Sequence, residues 1–252
     1  MERIEELMSA NAPLWYRGAG KTSRRLVPTL FRHPTITKAD ELIALEGKIL
    51  QRFRERSIPY QPVAVEQDWG LLFLMQHFGV PTRLLDWTEN PYIGLFFALT
   101  GAKVDESTGR SAEPAAVWVL KPEAWNKHAL IDISYDGGIL SMGTHPLDTY
   151  KPSTNPTYMR VSPVSMYGLH NSPRIVAQRG VFTIFGKDTQ PMDETYAVNN
   201  YPSDTLIKFE FAEDAVDSLR RSLFSIGVTD SVVFPDLAGL ATELKRFFGY
   251  RV

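Results

Sequence analysis

The 252-residue chain contains no cysteine. That excludes disulfides and thiolate chemistry, and five scattered histidines without ligand spacing argue against a structural zinc site. A chain without cysteine fits a reducing cytoplasm. No apolar run is long enough for a signal peptide or a membrane span, and the first residues, MERIEELMSANAPLW, are acidic and amphipathic. Excess charge of either sign is missing too. A net charge of −2 argues against a surface coated in positive charge, while leaving room for a local basic site. There is no repeat, no low-complexity tract and no charged tail. Common catalytic signatures are also absent: no G-x-S-x-G, no G-x-G-x-x-G, no H-E-x-x-H and no P-loop. GAGKTS (Gly18–Ser23) lacks the first glycine of a Walker A loop. These absences lead to the expectation of a soluble, cytoplasmic, metal-free protein that does not bind membranes.

What is present begins with 44% hydrophobic and 12% aromatic residues, enough for a substantial core in one domain spanning 1–252. LWYRG (Leu14–Gly18) reads as a short strand ending at a glycine turn. Apolar residues at helical spacing predict a helix over Asp40–Arg56, with Thr37 as its cap. A second helix is expected from about Glu66 to Phe78, stopped by Gly79. TRLLDW then reads as a strand, and Asn90-Pro91 as the cap and first-turn proline of a helix through Leu99. That helix is apolar on every face, so it should be buried all round. Ala115–Leu120 has the pattern of a central strand, and Thr205–Phe211 alternates like a strand with one wet face. RIVAQRGVFTIF (Arg174–Phe185) reads as two short strands bending at Gly180. Helices are expected over Ala212–Phe224 and Asp236–Phe248, the second with Leu237, Leu240, Ala241 and Leu244 on one stripe. Residues 135–173 are rich in Gly, Pro, Ser and Tyr with little periodicity, which suggests a long lid-like loop. Early and late helices around scattered strands predict an α+β fold rather than βαβ alternation.

Several polar groups sit next to residues that should be buried. Arg17 follows two aromatics, and the segment Arg17–Lys38 carries Arg17, Lys21, Arg24, Arg25, Arg32 and Lys38 with no acid between them. Such a segment suits an anionic ligand, and Gly18 and Gly20 would let that ligand approach the backbone. His77 falls in the last turn of its helix. Arg83 and Asp86, three apart on a strand, point to opposite faces, so each needs another partner. Asp86 could accept from amides at the start of the next helix, and Thr88 could cap it. Gln178, in an apolar strand, needs both ends of its amide bonded, either to a neighbouring strand or to a ligand.

WYRG, QHFGVPTRLLDWTENPYIGLFFAL, PRIVAQRGVFTIF and FPDLAGLATEL together resemble the FRG domain family, named for its Phe/Tyr-Arg-Gly motif, over roughly Leu14 to Leu244. The order of motifs is also similar to that of ADP-ribosyltransferases. There an arginine or histidine lies on a first strand, a hydroxyl-bearing strand runs into a helix, and a later strand carries a catalytic glutamate. That resemblance implies a small antiparallel split sheet flanked by helices, with NAD as substrate. It implies catalytic roles for Arg17, Asp86, Thr88 and Gln178, and cofactor-binding roles for Tyr16, Gly18, His77, Arg83, Trp87 and Asn90. Tyr16 and Trp87 would sandwich the nicotinamide. The chain departs from the pattern at Gln178, where no acid stands, so Asp86 is the candidate carboxylate. The implied function is an NAD-dependent ADP-ribosyltransferase, of the kind used as a toxic effector in bacterial defence or toxin–antitoxin modules. Its acceptor would be nucleic acid, with RNA favoured by the basic segment, or protein, and an antitoxin is a possible partner. The alternatives are a non-catalytic sensor of nucleotides or phosphorylated ligands, and a metal-independent nuclease with His77 as base.

Overall fold

The structure, a computed structural model, describes residues 12–60, 65, 67–105, 107–170 and 172–250. In chain order the strands are β1 (Trp15–Ala19), β2 (Leu84–Thr88), β3 (Val104–Asp105), β4 (Arg110–Ser111), β5 (Ala115–Leu120), β6 (Val164–Met166), β7 (Gly180–Ile184) and β8 (Leu206–Phe211). The helices are α1 (Ala39–Ser57), α2 (Asp68–His77), α3 (Pro91–Gly101), α4 (Pro122–Ala129), α5 (His145–Asp148), α6 (Pro173–Ala177), α7 (Met192–Val198), α8 (Val216–Ser225), α9 (Asp230–Val233) and α10 (Leu237–Phe247). None of the described helices is long and apolar enough to cross a membrane.

The fold is α+β. Six strands form an antiparallel sheet in the order β6-β7-β2-β1-β5-β8, and β3 and β4 make a separate ribbon. The sheet is strongly paired in two halves and barely joined between them. β1 pairs with β5 along its whole length, from Trp15↔Leu120 to Ala19↔Ala116. β2 pairs with β7 just as completely, from Leu84↔Ile184 to Thr88↔Gly180. β1 and β2 register only at Tyr16↔Thr88. The sheet is therefore split along the β1–β2 seam.

Alternation along the strands distributes the core to both faces. On one face Tyr16, Val117 and Val119 pack under α3 and α8, while Leu84, Phe182 and Ile184 pack under α2. On the other, Trp15, Leu85, Trp87, Trp118, Val181 and Trp125 form a third cluster. The apolar α3 starts where Asn90 caps it, Oδ1 accepting from Tyr92 N at 2.9 Å, with Pro91 in the first turn. It approaches β1 so closely that a Cβ on Gly18 would stand 2.1 Å from Gly94 O and one on Gly20 2.0 Å from Gly101 O. The glycines expected to admit a ligand thus admit a helix.

Several elements differ from the sequence-based expectation. α1 is capped at Lys38 without a side-chain bond, so Thr37 plays no part. α2 starts at Asp68, and Glu66 lies outside the described residues, as does the amphipathic N-terminal segment up to residue 11. The first half of RIVAQRGVFTIF is the helix α6, because Ser172 Oγ accepts from Ile175 N at 3.3 Å and Pro173 fills the first turn. α8 begins at Val216 rather than Ala212. The stripe on α10 turns to solvent, with Leu237, Leu240 and Leu244 exposed. Residues 135–173 do not form a lid. Leu140, Leu147, Tyr150, Val164 and Met166 sit in the core under α2, and β6 extends the sheet. Asn126 clamps the segment by accepting from Ser165 N at 2.6 Å and donating to the carbonyls of Gly138 and Ser165.

Candidate functional site

A cleft of about 310 Å³ opens where β1 and β2 part. Its floor is the split seam. One wall is α2, through Phe73, Gln76 and His77; another is α3, through Phe97 and Gly101; α6 contributes Arg174 and Ile175. Segments from residue 16 to residue 182 thus meet in one space.

Arg17 is placed by β1, and its Nη1 donates to the backbone carbonyl of Asp86. The same nitrogen lies 3.9 Å from Asp86 Oδ2, with the arginine side chain 19% exposed and the aspartate 57%. Burial depresses the Arg17 pKa to about 10; the Asp86 charge opposes that shift, and the charges of Arg32 and Arg24 add to it. The group stays cationic at neutral pH. Asp86 also accepts from Gln76 Nε2 at 2.7 Å, and Gln76 Oε1 accepts in turn from Thr82 Oγ1. This chain holds the carboxylate from α2, not from the amides of α3 as the sequence suggested. Arg24 and Arg174 complete a lining of three guanidiniums against one carboxylate. Among the described residues no carboxylate lies within 4 Å of Arg24 or Arg174, while Arg174 Cζ stands 4.6 Å over the Phe234 ring. The Arg174 pKa is lowered, chiefly by burial.

His77 faces the same space, its Nδ1 3.5 Å from Ser172 Oγ. Its pKa is lowered first by burial and then by the Arg174 charge, with Asp236 opposing.

Other predicted site residues have structural duties. Arg83 is fully buried in the core: its Nε donates to Glu46 Oε2 at 2.7 Å, its Nη1 to Phe185 O and its Nη2 to Tyr150 O, each at 2.9 Å. Each of its three nitrogens donates within the core, and the side chain does not line the cleft, so it is out of a cofactor's reach. Asn90 also stands apart, as the α3 cap. Thr88 lines the cleft, but its hydroxyl donates to Gln178 O at 2.6 Å and accepts from Asn90 N at 3.0 Å, tying β2 to the end of α6. Gln178 terminates α6 instead of lying in a strand, and its Nε2 donates to Val233 O at 3.0 Å. Tyr16 and Trp87 both line the cleft, but their rings are almost wholly buried on opposite faces of the sheet, Trp87 Nε1 donating to Thr183 Oγ1, so they do not face each other across a nicotinamide. Phe73 and Phe182 line the cleft while equally buried, and Phe97 is the half-buried phenylalanine of the lining.

Gln76 and Arg174 were missed as site residues, and Arg24 was seen only as one of the basic segment. Gln76 carried a signal, since it is polar beside Met75 and one turn from Phe73 in a mostly buried helix. Arg174 carried none while its segment read as a strand. The basic segment Arg17–Lys38 is partly neutralised by acids from elsewhere: Lys21 by Glu113 at 3.9 Å, Arg25 by Asp193 at 2.7 Å and by Glu194, and Lys38 by Glu41 at 3.1 Å.

Residues 12–107 match the family model described as FRG domain. The match covers β1, α1, α2, β2 and α3, the part of the chain that supplies Arg17, Gln76, His77 and Asp86. No curated protein and no solved structure matches the chain.

Proposed function

We propose that the cleft binds NAD and transfers its ADP-ribosyl group to an acceptor. The observation that carries this is the pairing of Arg17 with a solvent-facing Asp86 at the β1–β2 split, inside a cleft whose guanidiniums outnumber its carboxylate three to one. Surplus, partly desolvated positive charge has a cost that a bound pyrophosphate removes. The half-buried Phe97 offers an apolar surface for the nicotinamide ring.

In the reaction the bond between C1′ of the ribose and the nicotinamide nitrogen breaks, and its electron pair leaves with neutral nicotinamide. Positive charge develops on C1′ and the ring oxygen. Asp86, held by Gln76, stabilises that charge and the ribose hydroxyls beside it. The acceptor's lone pair forms the new bond to C1′, and the acceptor's proton is released. Thr88 and Gln178 act as positioning residues, since their bonds fix the end of β2 against α6.

A second reading is favoured by those same bonds. With Thr88 and Gln178 committed, Asp86 is the one carboxylate left for chemistry, which also suits a sensor that holds a phosphorylated nucleotide without turnover. Incubation with NAD labelled in its adenylate, alongside RNA, DNA and protein mixtures, separates the two. Label transfer that is lost in Arg17→Ala, with the circular dichroism spectrum unchanged, supports the enzyme. Saturable nucleotide binding with neither transfer nor nicotinamide release refutes it and leaves the sensor.

A further inference from the structure

Arg24 belongs to two spaces at once. It lines the cleft, and it also lines an adjoining open groove of about 410 Å³ together with Lys21, Arg25, Val27 and Arg32. Lys21 and Arg25 are answered by acids. Arg24 and Arg32 are not: among the described residues, no carboxylate lies within 4 Å of either. Arg32 is also built into place. Its Nη2 donates to the backbone carbonyls of Val27 and Arg25, so its guanidinium is held by the loop that it helps to shape. Arg17, Arg24 and Arg32 are near enough for like-charge repulsion to act among them: burial first and then the Arg24 charge depress the pKa of Arg32, and behind burial the charges of Arg32 and Arg24 depress that of Arg17. In a chain of net charge −2, holding three arginines together costs stability unless an anion joins them.

We propose that this groove binds the phosphodiester backbone of a single-stranded nucleic acid, which is the acceptor delivered to the cleft. The proposal rests on the ADP-ribosyl transfer reading for the word acceptor, and on the groove alone for binding. Continuity through Arg24 places a strand lying on Arg24 and Arg32 with its next nucleotide at the cleft mouth. A cleft of about 310 Å³ has no room for a duplex, so the base presented must be unpaired. The paired cations at the rim, Lys21 and Arg25, limit the strong contacts to about two phosphates, which predicts modest affinity and a shallow salt dependence.

The test measures binding with no NAD present. Fluorescence anisotropy of a labelled, unstructured 12-nucleotide RNA is followed from about 50 to 300 mM salt with the intact protein. Each lost phosphate contact should lower the slope of log K against log salt by about 0.7 for a single strand, which is roughly fivefold in affinity at about 0.1 M salt. Arg24→Gln and Arg32→Gln are each expected to show that loss. Arg24→Gln guards against a folding artefact, because its guanidinium makes none of the loop bonds that Arg32 makes. A strand whose backbone is neutral methylphosphonate should bind at least tenfold more weakly than the RNA. Equal binding of the charged and neutral strands overturns the proposal, as do slopes unchanged in both variants. Strand binding with no label transfer from NAD sinks the transferase reading and keeps the groove. Transfer to protein, with no strand binding, keeps the enzyme and sinks the groove.

Discussion

Gly18→Ala is the sharpest test of how the β1–β2 seam is built. A Cβ on Gly18 would stand 2.1 Å from Gly94 O, 2.3 Å from Ala98 N and 2.8 Å from Phe97 C, all of them backbone atoms of α3. No rotamer change can relieve such contacts, so the strand and helix must separate by roughly 1 Å or more to restore ordinary packing. Gly94 closes the same contact from the other side, since its own Cβ would meet Tyr16 Cβ at 2.8 Å. The cost should sit at or beyond the upper end for overpacking, about 3 kcal/mol. A chain of this size loses roughly 2–4 °C of Tm per kcal/mol, so the expected drop is roughly 6–12 °C. Removing a glycine elsewhere has the opposite sign. Gly47 lies within α1 with nothing inside 4 Å of its added Cβ, and Gly47→Ala should raise stability by about 0.5–1 kcal/mol. Thermal unfolding of the two variants side by side decides the matter. A Gly18→Ala protein melting within about 2 °C of the parent, or lower only to the extent that Gly47→Ala is also lower, would refute backbone-to-backbone packing as the reason for that glycine.

Other outcomes follow from single contacts. Glu46→Ala leaves Arg83 buried without its counter-charge and should cost about 3–5 kcal/mol in a denaturant titration; a loss under about 1 kcal/mol would mean water reaches the guanidinium. Asn90→Ala removes the α3 cap and should cost about 1 kcal/mol in the same titration; under the proposed reading it leaves NAD binding unchanged, because Asn90 does not line the cleft. Under the proposed transferase reading, Asp86→Asn should lower kcat for ADP-ribosyl transfer at least a hundredfold while leaving the affinity for NAD within a few fold, since it removes charge stabilisation and keeps the Arg17 contact to the backbone carbonyl. The lowered pKa of His77 means that the unfolded chain takes up the proton first as pH falls. Its contribution is therefore present above about 6.5 and lost as pH drops from there through the folded value. His77→Gln should flatten the loss of Tm between pH 7.5 and 5.5, and an unchanged slope would show that another group governs that window.

How much of this was legible in the sequence depended on the range of the signal. β5 and the cap of α3 follow from local pattern, and both stand where AAVWVL and Asn90-Pro91 put them. The helix α6 was equally local, written in Ser172-Pro173, but the apolar run after it was the louder pattern and made the segment read as two short strands. Residues 135–173 lack periodicity because their buried residues enter the core singly, at Leu140, Leu147 and Tyr150, rather than along an element. Arg17 and Asp86 were legible as polar groups in need of partners, and they do find each other. Arg83 looked identical in kind, yet its partner is Glu46, whose place on the buried side of α1 only packing reveals.

By itself, then, the sequence determined the secondary elements with strong local codes, the absence of thiol chemistry, and the set of charged residues that burial would force into partnerships. Tertiary structure alone decided which partnership each took. Whether a guanidinium meets a carboxylate in the core, as Arg83 does, or faces an open cleft, as Arg17 does, turns on contacts between segments far apart in the chain. Coulomb attraction and hydrogen bonding act over a few ångströms in space, and neither is indexed by distance along the chain.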